Sequence, residues 1–388
     1  MKKIKSLFIN FLLSSISIYI PLLFFSSYQY LEYAKQVKIE NNEKILALNA
    51  GYLPTFYPQL IIRQMKKMKN AKIYPVGALP NTRTYLTNEG YGLISYTSDR
   101  FGFRNSDTKW ENISNQKNIF VIGDSFVHGF SVSDEATIPS NIEKTTKINT
   151  FNLGMGGNNP YEYIAVLKTL VSPLIKNSKK TNKVALVFYA GDKSPIDRKK
   201  KKLLNSTQKI VISSKYKGAL PTEYYTENIT SFIKNNYPEP AQEIISKIKN
   251  NSHIKKSSFY YITTLFPIRS KIGLASLRSF FITPRKPSVK LSETPSGKSI
   301  SLLSEVCKNP CKPIIVYIPN SKIWHPISSS QTYKRELKEM SKRVGISFLD
   351  CEEIIDSNAP DDYSPKGPHL SIEGYKKVAD LISREIMN

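Results

Sequence analysis

Cysteine and histidine are scarce in this chain, three and four residues among 388. Three cysteines exclude a scaffold stapled by several disulfides. So few Cys and His together also leave no large structural zinc cluster. Acidic side chains are outnumbered, 31 against 56 Lys and Arg, for a formal charge of +25. Core-forming residues are not short: 40% are hydrophobic and 11% aromatic, which excludes a disordered tail. No internal repeat is present. No helix-turn-helix, zinc-finger or RNA-recognition signature accompanies the charge. The basic balance therefore points away from nucleic acid and toward anionic lipid or acidic glycan.

Charge is also missing from Ser6 to Leu31. Lys2, Lys3 and Lys5 precede that stretch, whose apolar residues run from Leu7 to Phe25, diluted by Asn10, several serines and Pro21. About 20 apolar residues span a bilayer as a helix, and lysines placed before the span favour an N-inside orientation. Residues 1–31 are read as an uncleaved membrane anchor that puts the rest of the chain on the far side of a bacterial cytoplasmic membrane, periplasmic or extracellular. A cleaved signal peptide is the rival reading, although no A-x-A-like site follows the run. Cys307 and Cys311 bracket a short loop and suit a local disulfide in an oxidising space. Cys351 is left as a small buried residue.

Residues 32–115 read as a polar helical stalk followed by a small β-rich lead-in, with a hairpin over Thr82–Leu86 and Gly92–Tyr96. Residues 116–388 then alternate strand and helix. Apolar β-rich runs occur at 119–122, 150–153, 184–189, 313–318 and 346–349. Near-continuous runs of this kind suit a parallel sheet covered on both faces, and crossover helices are expected at 161–176, 333–344 and 375–386. The fold class is α/β, doubly wound. A long insertion at about 194–312 contains the basic run Arg198 to Lys202, read as a solvated loop, and a segment from Ser258 to Phe281 read as packed helices.

The sharpest local feature is Gly123-Asp124-Ser125 at the end of the first of these strands. A serine at a strand-to-helix turn lies at the carboxyl edge of the sheet, where α/β folds place their sites, with the first N–H groups of a helix close by. The plainer reading makes Ser125 a helix N-cap. Three further features lie at strand ends or helix starts: the glycine-rich turn at Gly154 to Asn159, the run Tyr189-Ala190-Gly191-Asp192, and His369 just before the last helix. His369 is placed to act as general base toward Ser125. His128, one turn after Ser125, is the second candidate base. His253 and His325 read as surface or packing residues. Trp324 reads as packing, or as a stacking surface for a sugar.

These four blocks in this order resemble the SGNH/GDSL hydrolase superfamily, especially its membrane-anchored bacterial members, and Ser98 to Arg104 resembles their lead-in. The resemblance implies a three-layer αβα, flavodoxin-like fold with no cofactor and no metal. It makes Ser125 the nucleophile and His369 the base, with an oxyanion site from the Ser125 and Gly157 N–H groups and from the residue at 192. Two positions depart from the pattern. Asp192 stands where the family has Asn, and an ionised Asp only accepts; either it is protonated, or Lys193 compensates, or the site has another task. Lys366 stands where an orienting Asp is usual, leaving Asp361 or Asp362 to loop back, or a Ser–His dyad. The implied activity is hydrolysis of acyl, often acetyl, esters of an envelope glycan or lipid. Acyl transfer through the same intermediate, and a catalytically impaired module that binds acidic polysaccharide, are the alternatives.

Overall fold

The computed structural model describes residues 37–55, 57–58, 76–111, 113–178, 180–192, 241–250, 289–324 and 330–388, with scattered positions between 14 and 35. The chain divides into two compact units, Met1–Ala50 with Glu239–Lys286, and Gly51–Pro238 with Pro287–Asn388. In the first unit, residues 37–49 and Ala241–Asn250 are helical, each carrying an (i, i+4) Glu–Lys pair, Glu40–Lys44 and Glu243–Lys247.

The second unit is built on a five-stranded sheet of β4 (Asn118–Gly123), β5 (Asn149–Gly154), β6 (Lys183–Tyr189), β7 (Lys312–Ile318) and β8 (Ser347–Asp350). All pairings are parallel and the order is β5-β4-β6-β7-β8. That is the flavodoxin-like order, which reverses direction between β4 and β6 and so leaves a crevice at their carboxyl ends. The five expected runs are these five strands.

Alternate residues feed two cores, because side chains on a strand point to opposite faces. Phe120, Ile122, Leu186, Phe188, Ile315 and Tyr317 share one core with α3 (Pro160–Val166), α5 (Pro295–Val306) and α6 (Ser330–Arg343). Ile119, Val121, Ala185, Val187, Ile314 and Val316 share the other with α2 (Ile138–Thr146) and α7 (Ile372–Met387). The buried stripe of α7, from Tyr375 through Val378, Ala379 and Ile382 to Ile386, has the three-and-four spacing of an amphipathic helix. The remaining helices are the single turn α1 (Ser125–His128) and α4 (Ser172–Asn177), which continues α3 through a π-turn at Leu167–Val171.

Two boundaries differ from expectation. The insertion ends before α5, because Ile300 and Leu303 are fully buried under the sheet. Cys307 and Cys311, between α5 and β7, are joined as a disulfide, and Cys351 is free and buried. The lead-in also belongs to the same compact unit as the sheet. Its own small sheet pairs β1 (Leu53–Pro54) parallel to β2 (Arg83–Tyr85), and β2 antiparallel to β3 (Ser95–Thr97) with Thr84 opposite Tyr96. Beyond β3, Asp99 gathers a tight turn: Oδ1 accepts from the Phe101 and Phe103 N–H groups, and Oδ2 from Asn105 Nδ2 and Trp110 Nε1. Phe101, Phe103 and Trp110 enter the core beside Phe151.

Among the described residues no helix is long and apolar enough to cross a membrane. The expected anchor at 1–31 lies mostly outside the described residues. The basic run at 198–202, the segment 258–281, Lys193, His253 and His325 lie wholly outside them.

Candidate functional site

Strand β4 ends on Gly123, and the chain turns directly into α1. Asp124 rather than Ser125 caps this helix, its side chain accepting from Phe126 N–H at 2.9 Å. Ser125 is therefore the first helical residue, with its hydroxyl available to the crevice side. The helix lies tight on the strand ends: a Cβ on Gly154, at the end of β5, would stand 2.4 Å from the His128 nitrogen. Glycine is required there by close approach, not by backbone dihedral. Gly129 closes the turn at φ 76°, a left-handed C-terminal cap.

His369 arrives from the far end of the chain. The segment before it folds back on itself, with Ser364 N–H donating to His369 O at 2.7 Å, and Ser371 then caps α7. The structure brings His369 Nε2 to 2.8 Å from Ser125 Oγ. Its ring is flanked by Phe126 and Phe130, with centroids at 5.1 and 4.5 Å. On the other side, Nδ1 lies 2.7 Å from Glu89 Oε1.

Glu89 is the candidate site residue that sequence reasoning missed. It comes from the lead-in, between β2 and β3, and is 8% exposed. A Cβ on Gly367 would stand 2.0 Å from the Glu89 carboxyl carbon, so the absence of a side chain at 367 makes room for the acid. The Lys366 N–H donates to Glu89 O at 2.9 Å while its side chain is exposed. The one available signal was indirect: Lys366 occupies the place of the usual acid, which left either a carboxylate from elsewhere or a Ser–His dyad.

Asp361 and Asp362 are not that acid. Asp362 accepts from Asp356 N–H at 2.9 Å and pairs with Lys377 at 2.7 Å, and the Asp361 carbonyl accepts from Ser371 Oγ. Both residues line a cavity of about 640 Å³ beyond β7 and β8, which does not include Ser125, His369 or Glu89. The reason is local: residues 360–362 form a 3-10 turn that presents its acids to the start of α7.

Asp192 sits in a 3-10 turn after β6 and is 5% exposed. Its Oδ2 accepts from Tyr189 N–H at 3.0 Å and from Tyr163 Oη–H at 2.9 Å. Burial, reinforced by the Asp124 charge, pushes its pKa well above the ordinary carboxylate range. Burial likewise pushes Asp124 up to about 6, against the opposing pull of the Phe126 N–H bond and the His369 charge. A carboxyl held neutral keeps a donor hydrogen, which an ionised one lacks. Gly157 lies on the exposed turn after β5 at φ 76°.

His128 is not a base toward Ser125. It is wholly buried, with Nε2 2.8 Å from Tyr96 Oη. Tyr189 stacks on Phe126 at 4.6 Å and its hydroxyl bonds the Asn320 side chain. Trp324, after β7, is 41% exposed. Among the described residues no group of three or more His, Cys, Asp or Glu is arranged to hold a metal ion.

No family model matches the chain and no curated protein matches it by sequence. Solved structures do. A proposed lipolytic protein of the G-D-S-L family from Desulfitobacterium hafniense DCB-2 is similar over 69% of this chain and 98% of its own, at 14% identity and a TM-score of 0.33. A proposed SGNH hydrolase from Slackia heliotrinireducens is similar over 70% of this chain and 100% of its own, at 11% identity and a TM-score of 0.36.

Proposed function

We propose that this chain is a serine ester hydrolase of the SGNH/GDSL superfamily, working through a Ser125–His369–Glu89 relay. The observation that carries the reading is the continuous pair of contacts, 2.8 Å from Ser125 to His369 and 2.7 Å from His369 to Glu89, at the carboxyl edge of the sheet. A carboxylate facing Nδ1 fixes the proton there, so Nε2 presents a lone pair to the Ser125 hydroxyl. Attack of Oγ on an ester carbonyl passes the hydroxyl proton to Nε2, and the Glu89 charge steadies the imidazolium. The N–H groups at the head of α1 and on the Gly157 turn are the donors toward the developing oxyanion. Collapse expels the alcohol, which takes the proton from Nε2 and leaves an acyl-serine. Water then repeats the sequence, releasing the acid and restoring Ser125. A sugar hydroxyl in place of that water would give acyl transfer by the same steps.

Within this reading the substrate is an acyl ester, acetyl by preference, of an envelope glycan or lipid. The uncharged, apolar segment at the N-terminus supports a membrane anchor with the catalytic unit outside the cytoplasmic membrane, and the +25 charge supports contact with anionic envelope material. A reporter fused to the C-terminus tests this placement, which fails if the reporter reads as cytoplasmic.

Labelling with a fluorophosphonate probe tests the chemistry. The intact protein should label covalently and hydrolyse p-nitrophenyl acetate, and Ser125→Ala should do neither. Undiminished labelling or turnover in Ser125→Ala would overturn the assignment.

A further inference from the structure

His128 is a wholly buried imidazole one turn after the nucleophile, and the relay does not use it. Burial, together with the positive charges of Arg104 and His369, holds its pKa well below the ordinary histidine value, so the ring is neutral. Its Nδ1 receives the Gly156 N–H at 3.3 Å and its Nε2 meets Tyr96 Oη at 2.8 Å. A backbone N–H can only donate, so Nδ1 must present its lone pair. In a neutral ring the proton is then on Nε2, which donates to the tyrosine. The ring thus ties β3 of the lead-in, through Tyr96, to the turn that follows β5. That turn also holds the end of β4, since Met155 N–H donates to Gly123 O at 3.3 Å.

We infer that His128 is a positioning residue: its Nδ1 lone pair fixes the Gly156–Gly157 turn beside the nucleophile. The inference rests on the reading of Ser125 as that nucleophile. Nothing else on α1 meets the Gly156 N–H, and a buried N–H without an acceptor is costly. If the ring were rotated or protonated, the turn would lose its anchor and shift, and displacements of about 1 Å cost on the order of 10²-fold in rate.

Two amide substitutions separate the two ends of the ring. His128→Asn places an oxygen where Nδ1 stood and keeps an acceptor for Gly156 but has no reach to Tyr96. His128→Gln reaches Tyr96 but leaves Gly156 without an acceptor. Two measurements are made on the full chain: amide hydrogen exchange at Gly156, and kcat with KM on p-nitrophenyl acetate. Gly156 exchange should quicken roughly tenfold or more in His128→Gln and stay slow in His128→Asn. In parallel kcat should fall ~10–100-fold in His128→Gln with KM nearly unchanged, and His128→Asn should recover most of it. Equal Gly156 exchange in the two variants would overturn the inference. If His128→Gln does not fold, His128→Leu replaces it: both ring nitrogens are gone at similar bulk, and Gly156 protection should drop. Unchanged protection there overturns the inference as well. If the wild-type protein neither labels nor turns over ester, the functional reading fails, while the Gly156 exchange still decides the role of His128.

Discussion

In the proposed relay Glu89 acts through charge, and that separates it from a residue that merely fills space. Glu89→Gln keeps an oxygen for His369 Nδ1 but removes the charge that steadies the imidazolium. We expect kcat to fall ~10²–10⁴-fold at nearly constant KM, measured on p-nitrophenyl acetate. Gly367→Ala should produce a smaller loss of the same kind, because its methyl group occupies the place of the carboxyl. Asp361→Asn should leave the rate unchanged. The Asp124 and Asp192 pair makes a separate prediction. Folding raises both carboxyl pKa values, so the folded protein keeps protons that the unfolded chain has released, and stability falls as pH rises through the usual carboxylate range to about 6 and beyond. Asp192→Asn removes one of the two charges, so its gain in melting temperature over wild type should be larger at pH 8 than at pH 5. At this scale Ser125 and His369 were legible, because each stands at a strand end or helix start within a recognisable run. Glu89 was not. It is followed by glycine and tyrosine in a loop with no periodicity, and it meets its partner only after 280 positions of chain.

Among the elements, α1 is the one that cannot stand alone. Four residues make no self-sustaining helix, and its carbonyl end is finished from outside. Arg104, with 2% of its side chain exposed, donates to His128 O, Gly129 O and Val132 O at 3.3, 2.8 and 2.9 Å and pairs with Asp134. Arg104→Ala would remove a donor from all three carbonyls and leave Gly129 O only the Val132 N–H at 3.4 Å, at a cost of roughly 3 kcal/mol, read as a lower urea midpoint with unchanged slope. The five strands were legible because burial on both faces demands uninterrupted apolar runs. The helices were less so. The π-turn at Leu167–Val171, with Pro173 and its missing N–H just beyond, interrupts what reads as one helix from 161 to 176. α5 was absorbed into the insertion because serines dilute its apolar stripe, and Ser296 and Ser299 are nonetheless buried.

At the scale of the whole molecule, the lead-in is part of the same compact unit as the five-stranded sheet rather than a spacer before it. It contributes Glu89 to the proposed relay, Tyr96 to His128, and Arg104 to α1. Asn105 clamps β5, its amide donating to Asn152 O at 2.9 Å and its oxygen accepting Asn152 N–H at 2.8 Å. Composition alone placed it outside, because Tyr, Thr, Asn and Gly in short runs look like connecting structure. A chain that begins at residue 113 should therefore show neither esterase activity nor fluorophosphonate labelling, even if it stays soluble. The span between Glu89 and His369 has a further consequence, for timing. During synthesis the acid of the proposed relay emerges first, the nucleophile next, and the base 244 positions after the nucleophile. A nascent chain therefore lacks the proposed Ser–His pair, and with it the proposed ester chemistry, until residue 369 has been made.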